Sequence, residues 1–177
     1  MERCSYYNSP IGVIKIEERD GFLEKVAFVE DVADDIANDS NGSICESSSP
    51  TLKETARWLD AYFSERPLRM IPSYKLVGTE FQKQVWEALI KIPYGSTASY
   101  MDIAKTIDSN ASGMMCRAVG NAVRANPLAI IIPCHRVVRA DGKIGNYRWG
   151  TEKKEWLLEH EAEAALAKIK GTLPDAQ

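Results

Sequence analysis

Several absences narrow this sequence. No apolar run approaches the roughly 18 residues of a membrane-spanning helix. The opening residues Met1-Glu2-Arg3-Cys4-Ser5 lead into no apolar signal-peptide core. The expected location is the cytoplasm, or the nucleus in a eukaryote, and no membrane partner is implied. Histidine is scarce, with only His135 and His160. The four cysteines, Cys4, Cys45, Cys116 and Cys134, lie far apart and form no C-x-x-C pair. A structural zinc site is therefore unsupported and no metal is expected. A cytosolic chain of this size also needs no disulfide staple. Acidic residues nearly vanish from one stretch: residues 112–148 carry six Lys/Arg against Asp141 alone, whereas residues 1–66 carry 7 Lys/Arg against 14 Asp/Glu. The net charge of −3 argues against nucleic acid, but a phosphate backbone responds to the local field of such a basic segment.

What is present suffices for one large domain or two small ones: 177 residues, 45% of them apolar and 27% charged. Residues 6–30 read as a β-hairpin, with Ile11, Val13, Ile14 and Ile16 before an Asp20-Gly21 turn and Phe22–Val29 after it. Residues 30–49 read as an acidic, serine-rich surface connection with one helical turn near Val32–Ala37. Ser49-Pro50 opens a helix whose Leu52, Ala56, Leu59 and Phe63 share a face. Pro67 and Pro72 bracket an extended link, taken as the boundary between two subdomains.

Two capping boxes follow. Thr79-Glu80-Phe81-Gln82 starts a helix that stops at Ile92-Pro93-Tyr94-Gly95, and Ser99-Tyr100-Met101-Asp102 starts a short one ending at Ile107. After a polar turn, Asp108–Gly113, a helix is predicted over Met114–Ala125. Met115, Ala118, Val119, Ala122 and Val123 supply its core face, and Arg117, Asn121 and Arg124 a separate polar stripe. Asn126-Pro127 ends it. Two short helices, the second with a basic stripe, make a helix-turn-helix outline. Thr151 is the expected cap of the last helix, and 171–177 reads as a frayed tail. The predicted class is α+β: a small N-terminal antiparallel sheet domain over residues 1–75, then a mainly helical domain over residues 76–170.

The centre of the chain is Ile130-Ile131-Ile132-Pro133-Cys134-His135-Arg136-Val137-Val138. Aliphatic flanks predict burial, which disfavours a thiolate and makes a thiol inert. A neighbouring base reverses that, and His135 is the candidate. The plain alternative is a small core cysteine beside a satisfied histidine. Downstream, Gly145-Asn146-Tyr147-Arg148-Trp149-Gly150 is a glycine-flanked aromatic loop of the kind that walls a site for a flat ligand.

Together these motifs resemble the O6-alkylguanine-DNA alkyltransferases. The match rests on Ile132-Pro133-Cys134-His135-Arg136-Val137-Val138. Arg117-Ala118-Val119-Gly120-Asn121-Ala122 and Asn126-Pro127 reinforce it upstream, and the 145–150 loop and Glu155–Glu161 downstream. It covers roughly residues 79–161; the N-terminal part resembles the family's small sheet domain only in outline. The zinc ligands of some family members are not visible.

The resemblance implies irreversible transfer of an alkyl group from guanine O6 in double-stranded DNA to Cys134, once per molecule, by a monomer without cofactor. It implies that His135 draws the thiol proton through a bridging water while Glu161 orients His135, together keeping the sulfur ionised in an oily cavity. It gives Tyr100 the role of hydrogen-bonding the flipped guanine, Arg117 that of filling the vacated stack, and Asn126 that of holding the turn before the active-site strand. Tyr147 and Arg148 would wall the pocket, and the Val137 carbonyl would read the exocyclic amine. Asn121 and Arg124, on the polar stripe, are the remaining DNA-contact candidates. Base extrusion costs a few kcal/mol, least for a damaged base, and a small-residue helix permits close approach from the minor groove. The competing reading is a lesion-binding or regulatory helix-turn-helix module without chemistry. A cysteine hydrolase would need an oxyanion hole and a base remote in sequence, and neither is apparent.

Overall fold

A tight turn at Asp20-Gly21, both residues at positive φ (53° and 85°), folds the N-terminal segment on itself. That backbone matches the twist of paired antiparallel strands. The computed structural model describes residues 2–37, 44–45, 49–66 and 70–171. The predicted features at Asp39, Asn41-Gly42-Ser43, Ser47-Ser48, Pro67 and 172–177 lie outside them. The described residues form two compact units, one from residues 2–76 with Pro127–Ala129 and one from residues 77–126 with 130–171.

In the first unit β1 (Glu2–Ser9), β2 (Gly12–Arg19) and β3 (Phe22–Val29) pair antiparallel. After the helical turn α1 (Val32–Ala37), the short β4 (Ile44–Cys45) adds parallel to β1, giving the order β3-β2-β1-β4. The hairpin over 6–30 is therefore one half of a larger sheet. The first half of β1 escaped the reading because Glu2, Arg3 and Ser5 are polar, yet Glu2 to Ser9 pair in unbroken register with β2. Ile14, Ile16, Leu23 and Val26 are fully buried, and α2 (Pro50–Phe63) covers them with Leu52, Leu59 and Tyr62. Pro50 occupies the first turn of α2 as expected, but Ser49 makes no side-chain cap bond. Pro127–Ala129 bridges β3, with Val26 N–H donating to Pro127 O (2.9 Å) and Ala129 N–H to Val26 O (2.8 Å). Against expectation, Cys4 is disulfide-bonded. Spacing along the chain does not reveal which thiols meet across a sheet.

The second unit holds α3 (Glu80–Ile90), β5 (Ala98–Ser99), α4 (Tyr100–Ile107), α5 (Gly113–Arg124), β6 (Val137–Val138) and α6 (Thr151–Ile169). Both capping boxes form: Thr79 and Gln82 exchange bonds at the start of α3, and Ser99 and Asp102 at the start of α4. α4 and α5 are the helix-turn-helix. Trp86 Nε1 donates to Ala122 O (2.8 Å), tying α3 to α5. Gly78 permits this, because a Cβ there would stand 2.7 Å from the Trp86 ring. Val85, Leu89, Ile103, Val119 and Leu157 fill the core. The cap of α6 is Gly150 at φ 102°, not Thr151, which is already the first helical residue. β5 and β6 pair in parallel, Ala98 with Val137 and Ser99 with Val138. The candidate nucleophile does not sit on a strand: Cys134–Arg136 is a single 3-10 turn feeding β6.

Candidate active site

The apolar run predicted burial, and Ile130, Ile131 and Ile132 are all in the core. Ile130 takes φ 67°, a conformation that β-branched residues avoid. The chain turns there and then tightens: Cys134 N–H donates to Ile132 O (2.7 Å) and Arg136 N–H to Pro133 O (3.0 Å). Asn126, 1% exposed, braces the turn. Its Nδ2 donates to Ile132 O at 2.9 Å and to Cys134 Sγ at 3.0 Å.

Sγ faces a cavity of about 200 Å³. The cavity collects six residues singled out from the sequence: Tyr100, Asn121, Arg124, Cys134, Tyr147 and Arg148. Gly120, Val123 and Asn146 complete its wall. Arg148 is held over the Trp149 ring at 5.4 Å and donates to Asn126 O at 3.4 Å. Trp149 in turn meets Tyr147 edge-on at 5.3 Å between centroids.

The other candidates stand elsewhere. Arg117 is exposed on the face of α5 that carries Asn121 and Arg124. His135 is fully buried and shares Glu161 with Arg136. His135 Nε2 lies 2.7 Å from Glu161 Oε1, and an ionised carboxylate only accepts, so Nε2 carries the proton. The basic nitrogen is then Nδ1, which is buried without a hydrogen-bond partner among the described residues. Val137 is buried, and its carbonyl already accepts from Lys154 Nζ at 2.6 Å. A carbonyl has two lone pairs, so one remains for another donor.

Electrostatics correct one expectation. Burial pushes the Cys134 thiol up, and the Asn126 hydrogen bond, the nearby Tyr147 hydroxyl and the Lys154 charge offset this only in part. The resting sulfur is a neutral thiol, not a standing thiolate. The Tyr147 hydroxyl acts on Sγ by proximity, without a hydrogen bond of good geometry. Burial likewise pushes His135 down against the pull of Glu161, so the ring is neutral and basic at neutral pH. Burial works against ionisation of Glu161, but bonds from His135 and Arg136 outweigh it and hold the carboxyl well below its usual range. Tyr100 is raised by burial and then by Cys134, so it stays a donor. Burial lowers Lys154 to about 8.

Sequence reasoning passed over four contributors: Arg136, Lys154, Asn146 and the Gly95 amide, which donates to Glu161 Oε2 at 3.0 Å. A signal existed for two. Arg136 stands in an apolar run, and a buried guanidinium needs a carboxylate. Lys154, Leu157, Glu161 and Ala164 keep helical spacing, which puts a lysine on the buried face of α6. No group of three or more His, Cys, Asp or Glu among the described residues could hold a metal ion.

Comparison with known proteins follows the same division of the chain. Residues 3–72 match the ribonuclease-like domain of 6-O-methylguanine DNA methyltransferase, and residues 80–163 match its DNA binding domain. The methylated-DNA–protein-cysteine methyltransferase of Methanosarcina barkeri is 40% identical over 169 residues, 88% of this chain and 96% of the relative. That of Mycobacterium leprae is 36% identical, over 96% of this chain and 98% of the relative. The crystal structure of the Mycobacterium tuberculosis OGT in complex with DNA superposes with a TM-score of 0.80 at 34% identity, over 92% of this chain and 94% of that one.

Proposed function

The chain belongs to the 6-O-methylguanine DNA methyltransferase family, and on that premise we propose that it repairs alkylated DNA by moving the alkyl group from guanine O6 onto Cys134, once per molecule. The observation that carries this reading is a buried thiol on the wall of a base-sized cavity, next in sequence to an imidazole locked by a carboxylate. Relatives named for this activity match over nearly their whole length.

The reaction balances without a further reactant. The Sγ–H proton passes to His135 Nδ1, directly or through a water. Sulfur attacks the alkyl carbon, the S–C bond forms as the O6–C bond breaks, and the base leaves with a proton donated by Tyr100, which regains one as His135 gives up the proton it took from sulfur. The products are a thioether and an unmodified guanine. A thioether does not revert, so the protein is consumed. Deprotonating the thiol only when base and lesion are both in place suits a sulfur whose resting form is neutral.

The target atom lies inside a duplex, so the nucleotide must leave the stack. Arg117, Asn121 and Arg124 share the exposed face of α5, where Ala118 and Gly120 permit close approach. Arg117 fills the gap, Arg124 and Arg148 hold phosphate beside the cavity, and Tyr147 walls the alkyl group. We assign the chemistry to residues 76–170, acting as a monomer in the compartment that holds the cell's DNA, the cytoplasm or the nucleus. No helix among the described residues is long and apolar enough to cross a membrane.

Mass spectrometry tests the reading. Incubation with an O6-methylguanine duplex is expected to add one methyl mass to the peptide holding Cys134, one per protein. Repeated turnover, or a methyl group elsewhere, would contradict it. Cys134→Ala is expected to abolish transfer while retaining binding to the alkylated duplex. Loss of both would make the cysteine structural, and transfer by the variant would remove it from the chemistry.

A further inference from the structure

Arg136 follows Cys134 and His135 directly and has no part in the reaction described above. Arginine is rarely buried, yet Arg136 is 9% exposed. Its Nε donates to Glu161 Oε2 at 2.8 Å and one terminal nitrogen to Glu161 Oε1 at 3.0 Å. The other terminal nitrogen donates to the Ile92 carbonyl at 2.7 Å, and the guanidinium carbon lies 5.5 Å from the Tyr94 ring centre. The fork is therefore anchored from the end of α3 as well as on α6.

We propose that Arg136 is a positioning residue for alkyl transfer: its fork saturates Glu161 and so fixes which nitrogen of His135 is left as the base and how readily that ring takes a proton. This rests on the reading of Cys134 as the acceptor. An ionised carboxylate offers about four lone-pair sites. Here all are taken, Oε1 by His135 Nε2 and Arg136, Oε2 by Arg136 and the Gly95 amide. With no free site Glu161 cannot rotate, His135 must present Nε2–H to it, and Nδ1 is left as the base. The guanidinium also opposes part of the carboxylate's pull on the ring. A lone carboxylate would favour imidazolium strongly; this paired one favours it weakly. The charged groups acting on the ring are Glu161 and Lys154 from α6 and Arg136 from the 3-10 turn. Arg136 thus adds to burial in keeping His135 neutral until a base enters.

Nitrogen NMR of histidine-labelled protein, with His160→Gln to separate the two rings, tests this. The native protein is expected to show neutral His135 with its proton on Nε2. In Arg136→Gln the His135 midpoint, and the acid limb of the single-turnover rate, are expected to move up in pH together. Arg136→Lys keeps the charge and so the midpoint, but one ammonium cannot hold both oxygens; the rate is expected to fall about tenfold. A His135 midpoint unmoved in Arg136→Gln, or a proton on Nδ1 in the native protein, would overturn the proposal. If Arg136→Gln does not fold, Arg136→Lys decides, because a native rate there would sink the idea as surely. The NMR titration reads Arg136 whether or not methyl is transferred. An unmethylated Cys134 in the native protein would therefore overturn the functional reading alone.

Discussion

At Cys134 two demands collide. On the proposed reading a purine fits against the sulfur, so the site is dry, and a dry site disfavours the anion that would attack carbon. The structure places one donor, Asn126 Nδ2, on the sulfur and buries a neutral imidazole at the next residue. Asn126 serves both the turn and the sulfur through one Nδ2. Asn126→Ala is expected to remove one of the two donors on the buried Ile132 carbonyl, leaving only the Cys134 N–H, and to destabilise the second unit by about 1 kcal/mol. It should also slow transfer by raising the thiol further. Thermal unfolding and single-turnover rates check the two effects, and a native melting point would show that Asn126 braces nothing. At this scale the motif residues Cys134, His135 and Asn126 were legible in the sequence. Lys154 was passed over because a lysine is ordinarily solvated, and its helical spacing with Leu157, Glu161 and Ala164 was the one sign of burial.

Among the elements, α5 has the clearest division of labour. Val119, Ala122 and Val123 are buried, while Met114, Arg117, Ala118, Asn121 and Arg124 are exposed on the opposite side. The periodicity marked both faces, apart from Ala118, which it assigned to the core. An alanine carries too little apolar surface to specify its side. Arg117→Ala is expected to slow extrusion of a fluorescent base analogue about tenfold or more, equivalent to about 1.4 kcal/mol. The salt dependence of duplex binding should change by no more than about one ion. A collapsed salt dependence with unchanged extrusion would reduce Arg117 to a phosphate contact. Helix starts were readable where a capping box wrote them, at Thr79 and Ser99. The start of α6 was misplaced because Gly150 at positive φ caps it without a side chain. The strand expected at Cys134 became a 3-10 turn, since short apolar runs do not distinguish the two.

For the molecule as a whole, the buried His135–Glu161–Arg136 cluster makes stability depend on acid. Both titrating members bind protons less readily folded than unfolded, His135 through burial and Glu161 through its partners. The unfolded chain takes up more protons, so stability rises with pH across each window. The histidine contribution is full above its unfolded value of 6.5 and is lost as pH falls through the folded one. The Glu161 contribution is full above 4.5 and is lost further down. Denaturant midpoints measured from about pH 8 to about pH 2 should fall in that order, and His135→Gln should remove the upper step. A step of native size in that variant would assign it to other groups. The sequence by itself determined the α+β order of elements, the capped helices, the basic stripe and the residue types that meet at the site. These are set by bonds and periodicities a few residues long. Only the tertiary structure decided that Asn126, Lys154 and Glu161 converge on one turn, that Arg136 occupies the carboxylate, and that the sulfur rests as a thiol. Desolvation is a property of everything packed around an atom, and no local stretch of chain encodes it.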